Sequence, residues 1–334
     1  MNQTSPETPT DAGILIISEA VCEELIGRSE AFAAVENVFG AMARGDARNF
    51  PVVREALGHA DALYGFKSGF DRAGMALGVK SGGYWPGNSH KGLTNHQSSV
   101  FLFNPDSGQL QAIVGGNYLT AVRTAASSAV SIAHLARKDA RVLGMVGAGH
   151  QSTFQLKAAL EQRDFKKVIG WNQHPEMLSR LATIAAEAGL PFEQVDLPQL
   201  GAQADVIITI TSAFRPLLMQ HWIKPGTHLA CMGTDTRGKQ EVEASLLAGS
   251  RVFSDEIAQS ITIGEAQHAI NDGIITAQDI TAIGDVINGN HAGRQSDDEI
   301  TLYDGTGVGL QDLAVAAAVV KLALAQGKAQ QVFL

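Results

Sequence analysis

Residues 141–154 read RVLGMVGAGHQSTF, an apolar run that breaks into Gly147-Ala148-Gly149 and then into a helix-like pattern. Val142, Leu143, Met145 and Val146 suit a buried parallel strand. The two glycines let the backbone turn tightly and approach a pyrophosphate without a Cβ in the way. The phosphates then meet unpaired N–H groups at the start of a helix over His150–Leu160. Ser152 stands where the dinucleotide fingerprint prefers a third Gly or Ala, so the triplet needs its context. About 20 residues past the glycines, a second strand, Lys167–Trp171, ends in Asn172, where the fingerprint places an acid on the adenosine ribose. Asparagine still accepts from a ribose hydroxyl but lacks the charge that repels a 2′-phosphate. Gln173-His174-Pro175 offers no phosphate partner beyond His174, so NAD(H) is the preferred cofactor and NADP(H) stays open. Apolar strands at 205–210 (DVIITI) and 227–232 (THLACM) continue the strand–helix rhythm. Thr211 and Met232 fall at their C-terminal ends, the edge on which doubly wound sheets bind ligands. The expected fold class is α/β with a Rossmann-type doubly wound parallel sheet; the competing reading is that sheet without a nucleotide.

The chain has 334 residues, 45% of them hydrophobic, enough for large cores and two domains. A net charge of −9 argues against a general nucleic-acid or anionic-membrane binder, because either needs a net basic face. Attraction for an anion must therefore be local. Cys22 and Cys231 are far apart and have no metal-ligand spacing, so neither a disulfide scaffold nor a zinc site is expected, and a reducing cytoplasm fits. Residues 1–12 are polar and read as a disordered tail, and no later run approaches the length of a membrane span.

After the tail the pattern predicts a short strand, a short helix capped by Ser18, and a longer helix on Ala31, Phe32, Val35, Val38, Phe39 and Met42 that closes at Gly45. Residues 49–113 turn to strands, with a hairpin turn at 104–108. Residues 119–137 form an alanine-rich helix, and 310–326 a last helix that returns to the first domain. Lys80 follows the apolar run 75–79 and precedes Gly82-Gly83, a place where a cation can point into a cleft. Lys67, by contrast, is as compatible with an outward, solvated face as with an inward one. Arg123 is a lone guanidinium on a small, apolar helix start, which is costly unless it meets a phosphate or carboxylate. Asp235 follows the fourth strand, where a loop aspartate also serves as an Asx turn former.

The run 117–129 (NYLTAVRTAASSA), followed by the glycine turn, closely resembles the ornithine cyclodeaminase and mu-crystallin family. His96-Gln97, Trp171-Asn172, Lys224-Pro225-Gly226-Thr227-His228, Gly233-Thr234-Asp235 with Gly238-Lys239, and Asp304-Gly305-Thr306-Gly307 extend the resemblance over nearly the whole chain after the tail. It implies a discontinuous α+β substrate-binding and dimerisation domain (13–130 and 310–334) around an NAD-binding Rossmann domain (131–309), a homodimer, and action on small anionic amino, imino or keto acids. Segments 49–55, 65–67, 80–86 and 233–236 are most similar to members that reduce iminosuccinate to L-aspartate with NADH. The resemblance implies Arg54 and Lys80 as the cations on the α-carboxylate and Asp235 as the group that handles protons at the substrate nitrogen, with Lys80 stabilising the bound anion. Lys67, His96 and the loop 88–91 are candidates for a second carboxylate. It further implies Arg123 on the pyrophosphate with Gly147, Gly149, His150 and Gln151, and Gln97, Asn172, Thr211, Met232, Lys239 and Gly305 elsewhere on the cofactor. The alternatives on the same framework are another imino-acid or keto-acid reductase of the alanine dehydrogenase or ketimine reductase type, an ornithine-type cyclodeaminase with no net use of cofactor, and a non-catalytic NAD(P)H-dependent binding protein.

Overall fold

The computed structural model describes residues 13–333; the expected tail at 1–12 lies outside the described residues. Strands β1 (Ile14–Ile17), β2 (Ala47–Asn49), β3 (Val53–Ala56), β4 (Leu63–Asp71), β5 (Ala76–Tyr84), β6 (His96–Phe103) and β7 (Leu110–Gly115) build a first sheet. A second sheet holds β8 (Val142–Val146), β9 (Lys167–Trp171), β10 (Phe192–Gln194) and β11 (Val206–Thr209). Strand β12 (Phe214–Leu218) leaves it to pair with β14 (Gln240–Val242), while β13 (His228–Cys231), β15 (Arg251–Ser254), β16 (Ile280–Ala282) and β17 (Thr301–Asp304) complete it. The last strand, β18 (Gln330–Val332), pairs antiparallel with β1 and so closes the edge of the first sheet.

The second sheet runs β10-β9-β8-β11-β13-β17-β15-β16, and its pairings are parallel throughout. This is the doubly wound order, with the reversal of direction between β8 and β11, directly beside the glycine turn. Strands β11, β13 and β17 are buried at every position, as a parallel sheet covered on both faces requires, and β11 (VIIT) accordingly reads as a near-continuous apolar run rather than an alternation.

Helix α1 (Glu19–Leu25) starts at Ser18, whose side chain accepts from the Val21 N–H. Helix α2 (Arg28–Ala43) buries Val35, Val38 and Phe39. Helix α3 (Asn117–Leu135) is buried along almost its whole length, and its Ala, Ser and Thr side chains let α2 and α4 (His150–Leu160) pack closely on either side. The domain boundary expected at 130/131 falls inside α3, so the chain passes from one sheet to the other through a helix and not a linker.

The C-terminal helix Gly309–Ala325 lies across β4, β5 and β6 of the first sheet. A Cβ on Gly309 would stand 2.8 Å from the Ser68 amide nitrogen, so only glycine lets the helix start this close to β4. That approach brings Asp312 over Lys80. No helix among the described residues is long and apolar enough to cross a membrane, and no group of three His, Cys, Asp or Glu side chains there is placed to hold a metal.

Candidate active site

At the nucleotide end, Gly147 has φ +109°, and its N–H donates to the Trp171 carbonyl, which ties the turn to the end of β9. A Cβ added at Gly149 meets nothing within 4 Å. The N–H groups of Gly149, His150 and Gln151 find no acceptor among the described residues, and the buried Gln151 Oε1 is also without a partner. An open face lined with free donors at a helix N-terminus fits a pyrophosphate. His150 packs its ring on Phe154, and burial lowers its pKa, with Arg180 adding to the shift.

Across the sheet edge stand the charged groups. Lys67 and Lys80 are directly paired in the β4–β5 register, on the side covered by the C-terminal helix. Lys80 Nζ donates to Asp312 Oδ1 at 2.9 Å and to Thr120 Oγ1 at 3.3 Å. Loss of water pushes its pKa down to about 7, with Arg123 and Lys67 adding to the push and Asp312 resisting it. Lys67 Nζ donates to the Gly307 carbonyl at 2.5 Å, and burial followed by the Arg123 charge brings its pKa down to about 8. His96 sits beside them on β6. Burial, then Lys80 and Arg123, lower its pKa to about 3, so it faces the cluster as a neutral imidazole.

Asp235 lies between two cations. Arg54, from β3, donates from Nη1 to Asp235 Oδ2 at 3.0 Å and to Thr236 Oγ1 at 2.9 Å, while Lys239 Nζ reaches Asp235 Oδ1 at 2.9 Å. Burial works to raise the carboxyl's pKa, but Lys239, Arg54 and Lys67 outweigh it and hold the group well below the ordinary carboxylate range. Asp235 is therefore an anion at any physiological pH. Met232 and Gly305 meet at the ends of β13 and β17: a Cβ on Gly305 would lie 2.6 Å from Met232 Sδ.

Four of the expected cofactor residues are engaged differently. Arg123 turns from the glycine turn to Asp312 (3.0 Å from Nε) and Gln311 (2.9 Å from Nη1), because the returning C-terminal helix puts a buried carboxylate within its reach. Asn172 Oδ1 accepts from the Ala148 N–H at 3.0 Å and so braces the turn from inside. Thr211 gives both its N–H and its hydroxyl to Glu241. Gln97 is bound to Thr94 and Asn117 at the start of α3.

Sequence reasoning missed Asp312 and the buried acids behind the strand ends. Asp312 carried a usable signal, since a lone carboxylate in the apolar run 308–320 needs a partner for the same reason that Arg123 does. Cutting one partner from a buried ion group of this kind costs about 3–5 kcal/mol. Glu241 accepts from Thr209, Thr211 and Gly233, and Glu265 from the Glu241 and Val242 amides and the Thr234 hydroxyl. Burial, and then the Glu241 charge, raise the Glu265 carboxyl above its ordinary value. A raised folded-state pKa means that the native chain holds a proton the unfolded chain releases. Its stabilisation is full below pH 4.5 and is lost as the pH climbs through about 8. The Glu265→Gln variant mimics the protonated acid, so its melting temperature should fall less than that of wild type between about pH 6 and 9. Parallel melting curves for the two proteins would refute this.

The sequence model of the ornithine cyclodeaminase/mu-crystallin family matches residues 14–327. The chain is 60% identical over 319 residues to the iminosuccinate reductase of Paracoccus denitrificans (strain Pd 1222), covering 96% of this chain and 99% of that one. It is 32% identical to the alanine dehydrogenase of Archaeoglobus fulgidus, covering 93% and 96% of the two chains. The crystal structure of the Paracoccus denitrificans reductase in complex with NAD+ matches with a TM-score of 0.93 at 59% identity, covering 96% of this chain and 100% of that one.

Proposed function

The chain belongs to the ornithine cyclodeaminase/mu-crystallin family, and from that premise we propose that it is an NADH-dependent imine reductase whose substrate is iminosuccinate, reduced to L-aspartate. It is an oxidoreductase acting on a C=N bond, and NAD(H) is its preferred cofactor. The observation that carries the substrate reading is the surplus of cations. Arg54, Lys67, Lys80, Arg123 and Lys239 crowd around two ionised carboxylates, Asp235 and Asp312, which leaves net positive charge for a dianion.

In this reading Lys80 holds the α-carboxylate, joined by Arg123, which shares Asp312 with it; Arg54, expected on the α-carboxylate, is tied to Asp235 instead and serves the distal carboxylate with Lys67 and His96. Gly147, Gly149, His150 and Gln151 cradle the pyrophosphate, with Met232, Gly305 and Lys239 toward the nicotinamide. Bound NADH supplies the hydride. Asp235, held ionised, has no proton to give; it stabilises the protonated imine, whose carbon is then the electrophile, and it stays beside the product nitrogen. The overall balance is imine, NADH and one proton in, amine and NAD+ out. The test is NADH consumption with oxaloacetate, pyruvate or glyoxylate, each with ammonia, and with preformed cyclic imines, using NADPH in parallel. Aspartate formed from oxaloacetate and ammonia supports the reading. Turnover confined to the cyclic imines, or product formed without net NADH use, overturns it.

The proposed domains, 13–130 with 310–334 and 131–309, each contain one of the two sheets although their boundary cuts α3, and a cytoplasmic location fits the free, buried thiols of Cys22 and Cys231. The partner proposed beyond substrate is a second copy of the chain. On the first sheet, residues that alternate with those under the C-terminal helix stay half-exposed although apolar: Leu77, Val79, Phe101, Phe103 and Ile113. They are cross-strand neighbours and form one continuous stripe, a face suited to another such face. Phe101→Asp should convert the dimer to a monomer of about half the mass by light scattering. An unchanged mass removes this face from the interface.

A further inference from the structure

Asp312 sits where three elements meet: the first turn of the C-terminal helix, Lys80 on β5 and Arg123 on α3. It is fully buried, and no step of the chemistry above uses it. We propose that Asp312 is a positioning residue that fixes where the Lys80 ammonium and the Arg123 guanidinium stand, and thereby how tightly an anionic substrate is held. This rests on the reading of Lys80 and Arg123 as the cations of the α-carboxylate.

The donor inventory supports it. An ammonium has three N–H bonds; Asp312 and Thr120 take two on Lys80, which leaves one for a ligand. On Arg123, Nε goes to Asp312 and Nη1 to Gln311, so Nη2 has no partner among the described residues. One carboxylate thus occupies a donor of each cation and leaves each with a donor free for a ligand.

The charges point the same way. Lys80 is faced by Lys67 from β4, Arg123 from α3 and neutral His96 from β6, so every charged neighbour except Asp312 drives it to lose its proton. Arg54 and Asp235 form a pair of their own, joined by Lys239. Asp312 is itself held ionised, against burial, by Arg123 and Lys80, and it lies in the first turn of a helix, where a negative charge is favoured. Without this anion Lys80 would turn neutral at a lower pH and lose its grip on a carboxylate.

The test is succinate, a non-reacting dicarboxylate, titrated into the enzyme–NADH complex between about pH 6 and 9. Wild type, Asp312→Asn, Lys80→Gln and the double variant are compared, with NADH affinity as the check of folding. In Asp312→Asn the pH at which succinate affinity is half lost should move down by about one unit or more, with NADH affinity within about threefold of wild type. In the Lys80→Gln background the same change should cost less than it does in wild type and leave the pH midpoint unmoved, because only the route through Arg123 remains. If Asp312→Asn fails to bind NADH, Asp312→Glu replaces it. That variant keeps the charge but displaces it by a methylene, so succinate should bind about tenfold more weakly with an unchanged pH midpoint. A wild-type midpoint in Asp312→Asn, or wild-type succinate affinity in Asp312→Glu, overturns the proposal alone. Wild-type succinate binding by Lys80→Gln overturns the carboxylate reading and this proposal with it.

Discussion

Asp235→Asn should lower kcat for NADH-dependent reduction by about 10²–10⁴-fold while leaving NADH affinity close to wild type. The amide keeps the size and one acceptor oxygen of the acid but loses its charge. That charge is what Arg54 and Lys239 hold in place from two sides, and in the proposed mechanism it is the anion that stabilises the protonated imine. With an uncharged side chain there, the two cations face the protonated imine unopposed, and the reactive form of the substrate is disfavoured in the site. The effect should appear in kcat more than in KM, because Lys80 and Arg123, proposed for the α-carboxylate, stay paired to Asp312, and among the proposed substrate cations only Arg54 loses a charged partner. Steady-state rates with oxaloacetate and ammonia, alongside a fluorescence titration of NADH, separate the two quantities. A kcat within about threefold of wild type would remove Asp235 from the chemistry.

The second large effect is expected at Gly147. Its φ of +109° is strained for any residue with a Cβ, and that atom would lie 2.6 Å from the Ile210 carbonyl oxygen and 3.1 Å from Thr211 Cγ2. Backbone strain of about 1–3 kcal/mol and overpacking of a similar size must be relieved by moving the turn or the end of β11. Either shift displaces the donors of the phosphate cradle. Gly147→Val should therefore weaken NADH binding by about 100-fold or more and lower the melting temperature. Gly149→Ala is the informative partner. Its backbone is ordinary and its Cβ points into open space, so the fold should survive, and any loss of NADH affinity there reports close approach of the phosphates. Undiminished NADH binding in both variants would place the nucleotide elsewhere.

Several features of the site were legible because their signals are local. A glycine turn between an apolar strand and a helix, the order of strands that follows it, and the position of Asp235 just past a strand end all lie within short windows where periodicity and turn chemistry act. Lys80 was legible for the same reason, as a cation closing an apolar run. The extent of the strand that carries Lys67 was not legible: Gly65 and Gly69 interrupt the alternation, and only pairing along both edges fixes it as Leu63–Asp71. Strand β6 reaches back to His96 because Tyr84 and Gly83 pair with His96 and Gln97 there.

By itself the sequence determined the doubly wound sheet, the nucleotide edge and which side chains are chemically suited to an anionic substrate, since these depend on residues close together in the chain. The tertiary structure alone decided what each charge touches. Asp312 is 232 positions from Lys80 and 189 from Arg123, and only the return of the last helix across β4 and β5 joins them. The turn of Arg123 from phosphate to carboxylate, the Asn172 brace and the Glu241–Glu265 pair have the same origin. A buried polar group must take whichever partner the packing brings within reach, and no pattern local to that group names it.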